Sequence, residues 1–165
     1  MYSFDKHSKL WQYFSSGQKS LIEEGLYLLK DVKMHPNVRV TDYSYLVFPF
    51  AKAYEGFLKQ LFLDLRFISQ KEYNSDHFRI GKALNPSLEK RLRYLSIFDK
   101  LVSYCKDKNI ADELWLIWKR GRNLVFHYFP HNFRALSLPE AEEIINSILK
   151  VMEKTVVVCP INQQL

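Results

Sequence analysis

Between Asp42 and Ser69 the apolar residues Leu46, Val47, Phe50, Tyr54, Phe57, Leu58, Leu61 and Leu65 recur at steps of three and four, the spacing of one helix face. The same segment is apolar on almost every other side, which assigns it to the centre of a bundle rather than to a surface. Asp42 is read as its N-cap and Pro49 as a kink in its first half. The chain contains only five glycines, fewer than the turns of a barrel or sandwich usually need. The expectation is an all-α fold of four to five antiparallel helices in one domain spanning 1–165.

The remaining helices follow from breakers and caps. Residues 1–14 are rich in aromatics (Tyr2, Phe4, Trp11, Tyr13, Phe14) and read as a short helix or a packed arm. A first long helix spans Ser15 to Lys33 despite Gly17 and Gly25, and His35-Pro36-Asn37 ends it. Residues 70–86 read as a polar loop of a length often used for function. His77 and Arg79 lie in it, as substrate contacts or as plain solvated residues. Asn85 caps a third helix with Pro86 at its first position; it carries Leu88, Leu92, Leu95, Phe98, Leu101 and Val102. A fourth helix runs from Ile110 to Tyr128, where Pro130 stops it. Ser137 and Glu140 mark a capping box for a fifth, from Leu138 to Val157.

An apolar fraction of 47% and an aromatic fraction of 15% argue for a dense core and against disorder. The net charge of +6 and a pI near 9.2 suit a polyanion, an acidic protein or an anionic surface. Cys105 and Cys159 lack metal-type spacing and read as ordinary thiols of a reducing compartment. With no long uncharged apolar stretch and no signal-peptide pattern, the chain is expected to be soluble and cytoplasmic, without a membrane partner.

Chemistry concentrates in Trp118-Lys119-Arg120-Gly121-Arg122-Asn123-Leu124-Val125-Phe126-His127-Tyr128. Asn123 precedes His127 by four residues and shares its helical face. Arg122 precedes His127 by five and lies on the neighbouring edge. Gly121 costs a helix about 1 kcal/mol relative to Ala, which points to close approach or local bending. An imidazole that moves protons near neutral pH, a guanidinium that stabilises an extra phosphorane charge and an amide that fixes the tautomer suit RNA cleavage without a metal. The plain alternative is a helix C-terminus whose cations offset its dipole. His127 and His131 are four apart, but Pro130 between them and the lack of a third ligand argue against a metal site. No cofactor is expected. Trp115, Trp118, Phe126, Phe129 and Phe133 serve base stacking or, for most of them, packing. Lys90, Arg91 and Arg93 form a phosphate track or a solvated face.

The Arg122-Asn123-x-x-x-His127 pattern, near the end of the penultimate long helix, resembles the signature of the HEPN superfamily of ribonucleases. The closer resemblance is to the HEPN domain of RNase LS-type toxins of toxin–antitoxin systems. It rests on Tyr43 to Lys59, on Gly81-Lys82-Ala83-Leu84-Asn85 and on Arg122 to His131, together spanning residues 41 to about 150. The resemblance implies a HEPN-like helical bundle, a homodimer that brings two motif helices together, and endoribonuclease activity restrained by an antitoxin. It implies that Glu55 joins Arg122, Asn123 and His127 in the active site. It also places Lys52 where the family carries a basic residue, though Lys lacks the planar fork of Arg. The tyrosine that some HEPN toxins carry two residues after the His is replaced by Phe129, so control by nucleotidylation there is not expected. RNase LS toxins are longer, with domains before the HEPN part.

Three functions follow: a metal-independent endoribonuclease acting as a toxin or anti-phage effector, a non-catalytic HEPN module that dimerises or binds RNA or protein, and an interaction protein whose basic helix docks an acidic partner. For Glu55 the plain alternative is a solvated pair with Lys59 at i+4.

Overall fold

The computed structural model describes residues 4–128 and 130–161; Tyr2 and Phe129, both read above as aromatic contributors, lie outside them. Among the described residues every regular element is helical and no strand occurs, so the fold is all-α. Helix α1 spans Lys9–Tyr13 and starts where the Ser8 hydroxyl accepts from the Trp11 amide. Helix α2, Ser16–Met34, opens with a reciprocal capping box between Ser15 and Gln18 and ends at His35. Helix α3, Ser44–Asp64, continues through Pro49 as one element. Asp42 stands just outside it, its carboxylate accepting from the amide and hydroxyl of Ser44.

Helix α3 is the centre of the molecule. Phe50, Tyr54, Phe57, Leu58, Leu61 and Phe62 are fully buried along it. The Tyr54 hydroxyl spans the core to donate to the Leu114 carbonyl at 2.8 Å, so the polar tip of a buried ring is satisfied. Helix α2 packs antiparallel to α3, with Gly25 against Phe50 and Gln18 against Gly56. A Cβ on Gly25 would lie 2.4 Å from the Phe50 ring, so the glycine that weakens α2 locally allows its closest contact with α3.

Helix α7, Lys108–Trp118, and helix α8, Leu138–Val158, complete the bundle. Glu113 pairs with Lys154, and Arg120 beyond α7 pairs with Glu143, so α7 and α8 are antiparallel. The starts of α3 and α8 lie side by side: the Tyr43 amide donates to the Leu136 carbonyl, and the Leu136 amide donates to Asp42. Long helices that follow one another in the chain thus alternate in direction, which leaves α3 and α8 parallel. The Ser137–Glu140 capping box forms where the sequence places it.

Several expectations fail. Asp42 does not cap α3, whose N-cap is Tyr43 with no side-chain cap bond. Residues 70–86 are not an irregular loop, because short helices α4, Gln70–Tyr73, and α5, Ile80–Ala83, form within them. The third helix does not start at Pro86. Asn85 turns its side chain to the Ser87 amide, and Lys90–Leu95 form a 3-10 turn. Ser96 then caps helix α6, Ile97–Cys105. Arg93 braces this break, donating to the Pro86 carbonyl and to Asp99; Leu95 projects outward and Leu88 and Leu92 are only half-buried, so the first half of the expected apolar stripe stays out of the buried core. Lastly, Cys105 and Cys159 are not free thiols. The ends of α6 and α8 bring their Cα atoms to 4.7 Å, and the two form a disulfide. With a sequence separation of 54, no local spacing announces the pairing.

Candidate active site

The fourth helix of the sequence reading does not remain α-helical to Tyr128. It ends at Trp118, and Lys119–Leu124 form a wider π-helical turn followed by hydrogen-bonded turns near His127. Turns of this kind recur at functional sites because one extra residue per turn re-aims a side chain. Gly121 is buried in the turn. A Cβ there would lie 3.0 Å from Ile148 Cδ1 and 3.3 Å from Ile144 Cγ2, so the backbone sits directly on α8. The close approach inferred from sequence is what the structure shows.

Turned this way, Arg122 reaches α3. Its Nε donates to Glu55 Oε2 at 3.1 Å, across 67 residues of chain. The guanidinium also lies 5.5 Å from the centroid of the Trp118 ring, and Gly81 packs against the other reaches of that indole. Only Nε of Arg122 is engaged with the carboxylate among the described residues, which leaves the terminal nitrogens for an anion. Glu55 makes no ion pair with Lys59; its partner is Arg122.

Lys52 stands one turn before Glu55 on α3. Lys52, Glu55 and Arg122 line one open cavity of about 250 Å³ with Phe48, Ala51 and Phe126. Lys52 Nζ lies 5.8 Å from the centroid of the Phe48 ring, and Phe48 meets Phe126 edge to face with centroids 5.6 Å apart. Phe48 carries no role in the sequence reading; the signal available for it is its position four residues before Lys52, on the same face of α3.

Asn123 and His127 form a second, exposed pair: Asn123 Oδ1 lies 3.4 Å from His127 Nε2. The structure joins neither of them to Arg122 or Glu55 by a hydrogen bond or ion pair. The five proposed site residues therefore stand as a triad around the cavity, Lys52, Glu55 and Arg122, and a pair beyond it. The chain leaves the site through Pro130, with His131 and Asn132 both at positive φ, so His131 does not continue the face of His127. Among the described residues no three His, Cys, Asp or Glu side chains cluster as metal ligands, and no helix is long and apolar enough to cross a membrane.

Of the more remote candidates, Arg91 pairs with Glu89 and Arg93 with Asp99. Arg79 donates to the Asp76 carbonyl. These cations serve local turns. No family model, curated protein or solved structure matches the chain.

Proposed function

We propose that this chain is a metal-independent endoribonuclease with a HEPN-like bundle, a toxin or anti-phage effector that leaves 2′,3′-cyclic phosphate ends. The observation that carries the reading is Arg122, aimed by Glu55 into an open cavity that Lys52 also lines. Two cations beside one carboxylate leave a net positive site with room for a phosphate, and the terminal guanidinium nitrogens of Arg122 are of the kind that bind one in pairs.

In the proposed reaction the RNA 2′-oxygen attacks the adjacent phosphorus and the bond from phosphorus to the 5′-oxygen breaks. His127 takes the 2′-hydroxyl proton or gives one to the leaving oxygen. Asn123 orients the ring. Arg122, with Lys52 near it, stabilises the phosphorane charge, and Glu55 holds Arg122 in place. One imidazole serves one half of the proton transfer. A homodimer with its two motif segments near the axis would set two imidazoles at one phosphate, one to take and one to give. An antitoxin protein is the proposed restraint in the cell, and the cytoplasm is the proposed location because RNA is met there; the Cys105–Cys159 bridge, a bond more usual in oxidising compartments, does not support it.

The exposed position of His127, apart from Arg122, favours a second reading: a non-catalytic module that binds RNA or dimerises through the same face. Cleavage separates the two. Purified protein is expected to cut single-stranded RNA in EDTA, to leave cyclic phosphate ends, and to scatter light as a dimer. Expression is expected to arrest growth unless His127→Ala is present. RNA binding without cleavage leaves the second reading in place; cleavage that needs Mg²⁺ or leaves 5′-phosphates overturns the mechanism.

A further inference from the structure

Phe48 and Phe126 stand at the rim of the cavity, and both stay open to solvent, 52% and 39% exposed. The other phenylalanines of α3, Phe50, Phe57 and Phe62, are fully buried, so α3 has core positions for aromatic rings and Phe48 is not in one. It pairs instead with Phe126 from the chain just beyond the π turn, at an interplanar angle of 79°. Two elements thus converge to hold an aromatic surface facing outward.

The charges beside this surface say what covers it. Lys52 lies against the Phe48 ring, and Arg122 lines the same cavity with Glu55 as its one carboxylate partner. An apolar peptide would desolvate Lys52 without pairing it. A base inside a duplex hides both its faces in the stack. An unpaired nucleotide offers the complement: a π-face for the rings and a phosphate for the cations.

We infer that Phe48 and Phe126 seat one unpaired nucleobase beside the phosphate held by Arg122 and Lys52, so that the substrate must be single-stranded at that nucleotide. The inference rests on the RNA-cleaving reading above. It makes the aromatic pair the selectivity element of the site and leaves the chemistry to the neighbouring polar groups.

The test takes an RNA oligonucleotide that the wild-type protein cleaves and places an abasic residue at each nucleotide flanking the cut. At one of these positions kcat/KM is expected to fall about tenfold, the scale of one lost base–aromatic stack. Phe48→Ala is expected to cause a similar fall on the intact strand. Combined, the two changes should cost no more than either alone, because they delete one contact. Phe48→Trp, which keeps a stacking face, should keep the dependence on the base. Phe126→Leu repeats the comparison where Phe48→Ala does not fold. Losses that multiply, or a wild-type protein indifferent to every abasic position, overturn the inference and leave RNA cleavage standing. A Phe48→Ala protein that turns from dimer to monomer assigns the rings to a second copy and overturns it as well. A wild-type protein that cleaves no RNA removes both this inference and the function on which it rests.

Discussion

Arg122 and Glu55 form a half-exposed ion pair, with side-chain exposures of 41% and 34%. Pairs of that kind contribute at most about 1 kcal/mol to folding, so the contact matters more for where it holds the guanidinium than for stability. Glu55→Gln keeps the shape and an acceptor oxygen while removing the charge. It is expected to change the denaturation midpoint little and, in the proposed reaction, to lower kcat more than it changes KM, because there a less firmly held Arg122 would stabilise the transition state less. A variant that loses substrate affinity at unchanged kcat would place Glu55 in binding instead. Arg122→Ala is expected to cost about a hundredfold or more in kcat, the usual effect of removing one donor to a developing charge, and Arg122→Lys should recover little, because a lysine cannot make the Nε contact and offer a fork at once.

At the scale of elements, the join between the starts of α3 and α8 gives a pH-dependent latch. Burial pushes the Asp42 carboxyl upward, but hydrogen bonds from Ser44, Leu136 and Asn132 outweigh it and hold the group below its ordinary value of 3.8. A carboxyl lowered in the folded state adds stability above its unfolded value, and that stability is lost as pH falls through the folded one. The stability of the latch should therefore start to fall as pH drops past the ordinary carboxyl value and be lost only through the lowered folded one. Asp42→Asn is expected to lower the denaturation midpoint at pH 7 and to approach the wild type as pH is lowered below 3.8; a gap that does not change with pH would show that the charge contributes nothing. The serine capping box of α8 was among the most legible parts of the sequence, whereas Asp42, read as the cap of α3, serves the join instead, and Tyr43 takes the cap position without a side-chain bond. Ser137 and Glu140 start α8 through side chains three residues apart, a purely local contact, and the apolar period of 46–65 marks α3 for the same reason. The helix expected from Pro86 was lost to tertiary contacts, since Arg93 reaches Pro86 and Asp99 only once the chain has turned. The π turn was legible only as an oddly placed Gly121, and the Asn123–His127 contact survives it because the two remain four residues apart in a wound segment.

Over the whole molecule, the disulfide is the feature the sequence kept hidden, because its two ends meet only when α6 and α8 have both docked. Both cysteines are nearly fully buried, and Tyr104 beside them donates to the Pro160 carbonyl at 2.9 Å, so the bridge is sealed under the end of the bundle. A bridge across 54 residues restricts the unfolded chain by up to about 4 kcal/mol. Cys105→Ser with Cys159→Ser is expected to lower unfolding free energy by an amount approaching that figure while leaving the proposed RNA cleavage unchanged, since Lys52, Glu55 and Arg122 lie elsewhere. An unchanged unfolding curve would mean that the bond restrains nothing. The opposite case is Gly121. Its backbone rests on Ile144 and Ile148 with no side chain between, so there is no compressible layer to absorb a shift of α8. That helix supplies none of the proposed site residues, yet it acts as the gauge block against which the Arg122 turn is set, so the placement of Arg122 is fixed from behind, by the isoleucines of α8.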